Sequence, residues 1–299
     1  MTSLSIARRS VPSTGMAYGL LAALIWGTWP VVSRLGVAQT LTPYDITALR
    51  FAVAGLVLLP VVWRLGAGRL GWPKALVLAA GAGVPYVLVS VGGLTFAPAG
   101  HAGVITPSCM LLFSTLGGWW LLGDRPAGRR LGGLAMVIAG VALIGGAGVS
   151  GYRDGVWIGD LMFVAGGFLW ATYTVASRAW SVDPVHATAL VSVLSMILYL
   201  PVYLVIGTPG IFTAPLTEVF FQGVFQGLFA AVLALLAYTR AVALLGAARG
   251  ALFAALVPVV AVITALPVLG ELPSAVEWLG VVAVAGGMLW ALRPVRDQH

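Results

Sequence analysis

Four groups of side chains carry the functional reading of this sequence. Trp26 and Trp29 stand three residues apart, hence on one face of a helix, and Trp170, Tyr173 and Ser177 share a face in the second half. Tyr86 and Ser90 share a face beside Pro85, and His101 shares one with Ser108. Wide, weakly polar rings with N–H or O–H groups suit an aromatic or bulky apolar solute, because small-molecule pockets are mostly apolar with a few placed polar groups. The expected substrate-binding set is therefore Trp26, Trp29, Tyr86, Ser90, His101, Ser108, Trp170 and Tyr173. Ordinary interhelical packing would also place such rings. For Trp26 and Trp170 a cavity wall is favoured, since an indole deep in a membrane still needs a hydrogen-bond partner.

Catalytic chemistry has little to work with. There is no H-E-x-x-H metal pair, no G-x-S-x-G elbow and no cysteine cluster, and the only lysine, Lys74, lies outside any phosphate-binding G-x-x-x-x-G-K-[ST] loop. No metal, cofactor or catalytic residue is expected, and an intramembrane enzyme is the weaker rival reading. Cys109, the single cysteine, reads as a small core hydrophobe. No Asp or Glu sits at a midplane, which disfavours a carboxylate proton relay. His101 is the one imidazole near a pathway; a passive polar role is expected ahead of proton coupling, and facilitated diffusion and histidine-linked proton exchange both stay open. Arg50, in the outer half of its segment, is expected to snorkel to the interface. Gln222 and Gln226 read as a vestibule or a helix–helix hydrogen bond.

The elements that must position these residues are membrane spans. Of 299 residues 60% are hydrophobic and 8% charged, far below the roughly 25% charge of a soluble domain. Mean hydropathy is +1.03 across the chain, so lipid must solvate most of it. Apolar segments fall near 16–35, 46–63, 73–94, 99–122, 131–149, 157–177, 185–206, 216–242, 248–269 and 275–292, each close to the roughly 20 residues that cross a bilayer. The net charge of +7 would suggest nucleic acid in a soluble protein, but these cations sit in short connections, where membrane orientation explains them. With cytoplasmic termini, thirteen arginines and lysines, from Arg8 and Arg9 to Arg293 and Arg296, fall inside, and only Arg34, Arg50 and Arg153 fall outside. Six acids, Asp45, Asp154, Asp160, Glu218, Glu271 and Glu277, go to the outer side. Trp63, Trp72, Trp119, Trp120, Trp157, Trp180, Trp278 and Trp290 mark segment ends as an interfacial belt. The lipid bilayer and a small molecule are the expected partners; nucleic acid is not.

The segments repeat. Trp26-Gly-Thr-Trp-Pro-Val-Val-Ser-Arg34 aligns with Trp170-Ala-Thr-Tyr-Thr-Val-Ala-Ser-Arg178, and Leu122-Gly-Asp-Arg-Pro126 with Leu269-Gly-Glu-Leu-Pro273. Five spans is an odd number, so the second copy must cross in the opposite sense, and inverted repeats of this kind place a substrate site near the midplane between them. The fold class is thus an all-α polytopic membrane protein of ten transmembrane helices in two inverted five-helix repeats, residues 16–149 and 150–292, with cytoplasmic tails at 1–15 and 293–299.

On these motifs, with Gly246-Ala-Ala-Arg-Gly-Ala-Leu-Phe-Ala-Ala-Leu-Val-Pro258, Gly280 and Gly286-Gly287, the sequence resembles the drug/metabolite transporter superfamily, EamA type, and is most similar to its aromatic amino-acid exporter branch. The resemblance covers essentially the whole chain. It implies a central cavity chiefly lined by spans one, three, four, six, eight and nine, residence in a bacterial inner membrane, and export of amino acids or other metabolites or drugs by alternating access. Prolines 30, 85, 107, 201 and 258 interrupt spans and leave carbonyls short of a donor, as Pro30 does for Trp26. Such carbonyls either receive a substrate ammonium group or accompany a packing kink.

Overall fold

Apolar runs of this length can satisfy their backbone in hydrocarbon only as helices. The computed structural model describes residues 3–150, 155–206 and 210–292. Arg153, Asp154 and the tail with Arg293 and Arg296 lie outside the described residues, as do the side chains of Arg8 and Arg9. Among the described residues there is no strand. Ten helices are long and apolar enough to cross a membrane: Ser13–Ala38, Pro43–Leu65, Trp72–Gly93, Ala99–Leu122, Gly128–Gly146, Val156–Ala179, Pro184–Val205, Leu216–Leu245, Arg249–Leu269 and Ala275–Leu292. The first helix begins at Ser3, ahead of the residue 16 expected from sequence.

Of the ten, three are irregular. The third span breaks at Gly83 and restarts with Pro85 in its first turn, and the ninth breaks after Ala254 and restarts with Pro258. The eighth passes through a π-helical stretch, Val224–Leu233. Pro107 and Pro201 sit inside continuous helices.

The halves interlock rather than sit apart. Spans four and six pack together, as do their repeat mates nine and one; spans one and eight pair, as do six and three; two packs on seven, and five on ten. Each partnership maps onto another, or onto itself, when the halves are exchanged. Ten crossings give the bundle two faces: a terminal face, where the first span begins and the tenth ends, and a distal face. Arg64, Arg69, Lys74, Arg125, Arg129, Arg130 and Arg178 gather at the terminal face. Seven of the eight belt tryptophans are exposed, Trp120 at 93%; Trp180 is half-buried, with Lys74 Nζ 5.3 Å from its ring centre.

The repeated motifs explain themselves in space. Gly123 and Gly270 end the fourth and ninth spans with φ of 75° and 67°, a left-handed turn that glycine adopts without a Cβ penalty. The turn presents the following acid at the bundle end, where it meets the arginine that closes the other repeat's tryptophan motif. Arg34 Nε lies 3.8 Å from Glu271 Oε1 at the distal face, and Arg178 Nη1 bonds Asp124 Oδ2 at the terminal face. Both pairs join one repeat to the other. Glu271 Oε2 also accepts from the N–H groups of Ala99 (2.9 Å) and Gly100 (3.4 Å), capping the fourth span. Burial raises the Glu271 carboxyl above its usual range, against the pull of the Gly100 N–H, Arg34 and the Ala99 N–H.

Spans five and ten meet backbone to backbone. A Cβ on Gly133 would stand 2.6 Å from the Gly287 carbonyl oxygen, and one on Gly140 would stand 2.7 Å from that of Gly280. Small residues let helices approach this closely in lipid.

Gly140→Val is expected to destabilise the purified protein by about 3 kcal/mol, the upper range for overpacking because the obstacle is backbone; an unchanged melting temperature in detergent would refute the contact. For Glu271 the raised value means the folded protein holds the proton more tightly than the unfolded chain. Its contribution is present at low pH and lost as pH rises through the folded value. Wild type should therefore gain melting temperature relative to Glu271→Gln as pH falls from neutrality, and a gain in the opposite direction would contradict the burial.

Candidate functional site

The break in the third span sets the position of Tyr86. The helix restarts at Val84 with Pro85 behind it, and Tyr86 turns inward between rings from both repeats. Trp29 of the first span stacks on Tyr86, with ring centres 6.2 Å apart and planes 16° from parallel. Tyr86 meets Trp170 of the sixth span at 4.8 Å and 58°, and Trp170 meets Tyr173 at 5.5 Å. Four of the sequence-predicted residues thus form one continuous run of rings across the repeat boundary. Trp26 packs against the same cluster from one side, its ring 5.4 Å from that of Tyr238. Ser90, a turn beyond Tyr86, is buried against the sixth span, its Oγ 2.5 Å from where a Cβ on Gly166 would lie.

Both indoles find acceptors on the eighth span. Trp26 Nε1 donates to the Ala230 carbonyl at 3.2 Å, and Trp29 Nε1 donates to Gln226 Oε1 at 2.7 Å. Gln226 Nε2 donates onward to Ser33 Oγ (2.9 Å) and Gln222 Oε1 (3.1 Å), and Gln222 Nε2 to the Val32 carbonyl (2.7 Å). The two glutamines therefore make helix–helix hydrogen bonds, one of the two roles their spacing allowed. The acceptor carbonyls at 226 and 230 lie in the π-helical stretch, where backbone bonds run i to i+5 instead of i to i+4.

Arg50 departs from the sequence reading. It does not snorkel: the residue is 8% exposed, its Nη1 donates to the Gln226 carbonyl at 3.3 Å, and its guanidinium lies 5.9 Å from the centre of the Trp29 ring. The interior offers it a ring face and a carbonyl, while Asp45, the acid on its own span, is already occupied by Thr42, the Tyr203 hydroxyl and the Gly210 N–H. The legible signal was the charge itself, alone in an apolar segment.

His101 and Ser108 do not join the rings. Ser108 is fully buried and its hydroxyl donates to the Val104 carbonyl of its own helix (2.6 Å). His101 is held at the distal end of the fourth span between two carboxylates, Nδ1 at 2.8 Å from Asp160 Oδ1 and Nε2 at 2.8 Å from Glu277 Oε1. Both contacts are satisfied when the ring and the two carboxyls together hold two shared protons, whether on an imidazolium or on a neutral imidazole and one carboxyl. Sequence placed Asp160 and Glu277 among the acids of the outer side. They lie at that end, but inside their helices and turned inward, because His101 gives each a hydrogen-bond partner out of lipid's reach. Asp160 stands one turn into the sixth span, the spacing that could have betrayed it.

A cavity of about 530 Å³ opens beside this triad at the distal face, lined by Arg34, His101, Glu271 and Glu277 and by apolar Val262 and Val281. It lies among spans one, four, five, six, nine and ten, so the cavity and the run of rings are different places in the bundle. Among the described residues no cluster of His, Cys, Asp and Glu fits a metal ion.

Three comparisons bear on this architecture. A protein named aromatic amino acid exporter YddG, from Ancylobacter novellus, is 29% identical over 205 residues, which cover 63% of this chain and 69% of that one. A protein named as an uncharacterized transporter, from Archaeoglobus fulgidus, is 25% identical over 277 residues, 89% of this chain and 93% of its own. One crystal structure superposes with a TM-score of 0.66 at 22% identity, covering 93% of this chain and 98% of that one, a likeness of fold. The family description "EamA-like transporter family" matches twice, over residues 13–146 and again over 157–293, one match for each repeat. Two inverted copies of a five-helix unit, each matched separately, make this multi-pass membrane protein a member of the EamA-like transporter family.

Proposed function

We propose that this chain is a secondary transporter that exports small organic solutes, amino acids including aromatic ones, by alternating access between its two repeats. The observation that carries the reading is the run of rings Trp29, Tyr86, Trp170 and Tyr173, drawn from both repeats. Aromatic faces of this kind stack on a planar side chain and leave its polar end for a few placed groups. Trp26 and Ser90 complete the set at its margins. The name of the Ancylobacter novellus relative points to the same substrate class.

The ion pairs at the two faces supply the ends of the motion. Arg178 bonds Asp124 directly at the terminal face, while Arg34 stands off from Glu271 beside the distal cavity. In this reading the terminal face is the closed one, and transport exchanges the roles of the two pairs. The basic residues at that face support a bacterial cytoplasmic membrane with both termini inside.

A second reading concerns coupling. His101, clamped by Asp160 and Glu277 at the edge of an open cavity, has the surroundings of a group that exchanges a proton with the distal medium.

Protein reconstituted in liposomes loaded with labelled amino acids should give saturable efflux. Folded Trp26→Ala and Trp170→Ala variants should each lose about tenfold in rate for aromatic solutes, equivalent to about 1.4 kcal/mol of lost contact. Unchanged rate and selectivity in both would remove the aromatic wall, and product formation without solute movement would favour an enzyme. If His101 couples protons, an imposed pH gradient should drive accumulation in wild type and not in His101→Gln; equilibration without accumulation, whatever the gradient, leaves facilitated diffusion.

A further inference from the structure

Arg50 is a buried cation in the distal half of the bundle that no carboxylate among the described residues neutralises. It sits about 10 Å along the second span from Pro43. Among the described residues no carboxylate lies within ion-pair distance of it. Its Nε is buried with no hydrogen-bond partner, and its one hydrogen bond, to the Gln226 carbonyl, is long at 3.3 Å. Asp45 is fully engaged in capping its own helix and in holding Tyr203 and Gly210. Intramembrane arginines ordinarily pair with a carboxylate, bond backbone carbonyls or reach the interface, and this one has a single long carbonyl bond among the described residues.

Its surroundings say what would complete it. The guanidinium lies against the Trp29 ring, and Trp29 stacks on Tyr86, which meets Trp170. An unpaired guanidinium at the end of a row of aromatic faces matches a solute with an aromatic body and an anionic head. The guanidinium fork accepts a carboxylate through two parallel N–H bonds, which a free Nε and the second terminal nitrogen can supply.

We infer that Arg50 is the carboxylate-binding residue of the transport site: the solute's carboxylate pairs with the guanidinium beside Trp29, while its ring lies along Trp29, Tyr86 and Trp170. This rests on the transporter reading above and narrows it to solutes that carry a carboxylate. An amine of the same shape leaves Arg50 unpaired and adds a second positive charge beside it.

Reconstituted protein would be assayed for labelled phenylalanine efflux, with phenylpropionate, which keeps the carboxylate and lacks the amine, and phenylethylamine, which keeps the amine and lacks the carboxylate, as competitors. Phenylpropionate should compete within severalfold of phenylalanine, and phenylethylamine at least tenfold more weakly. Equal competition by phenylethylamine would overturn the assignment on wild-type protein alone, whatever the variants do. Arg50→Gln should lose at least tenfold in phenylalanine transport and its discrimination between the two competitors, with Arg50→Lys restoring part of both. A folded Arg50→Gln that keeps wild-type rate and discrimination would also overturn it. Absence of any phenylalanine movement in wild type would instead sink the aromatic-solute reading on which this one stands.

Discussion

Inside a bilayer a polar group has only the protein to bond with, and that constraint organises the centre of this bundle. The eighth span does much of the satisfying. Its π-helical stretch and its two glutamines take the N–H groups of Trp26 and Trp29 and one arm of Arg50. The glutamines then hand the chain of bonds on to Ser33 and the Val32 carbonyl. A network with this many connected members fixes the first span against the eighth and so fixes where the rings stand. The register of the aromatic wall is set by hydrogen bonds as much as by packing.

The same constraint governs the two ends. Each repeat ends its fourth helix with a left-handed glycine, follows it with an acid, and finds the matching arginine on the other repeat. Because the repeats are inverted, one short motif yields two contacts on opposite faces. Their geometries differ here, tight at one face and loose at the other.

Much of this was legible in the residues. Apolar length marked ten spans, and the twin motifs Trp26 to Arg34 and Trp170 to Arg178 marked the duplication. An odd number of spans per copy then forced the inversion. Trp29, Tyr86, Trp170 and Tyr173 stand out in the sequence by residue type and helical face, and tertiary packing brings them together. What stayed hidden depends on direction rather than identity. Arg50 lies close enough to the distal face to reach water, and only the neighbouring ring and carbonyl show that it turns inward. Asp160 and Glu277 looked like boundary acids because nothing local reveals that His101 stands between them. Ser108 illustrates the opposite failure: a hydroxyl in an apolar helix can spend its proton on its own backbone, and periodicity cannot tell that from a ligand contact.

The glycine contact between spans five and ten has one more implication. Gly133 faces Gly287 and Gly140 faces Gly280, so each helix offers its mate the same pair of notches read in reverse. Such a surface is isologous. The seam therefore needs only one surface, met by a second copy of itself turned upside down.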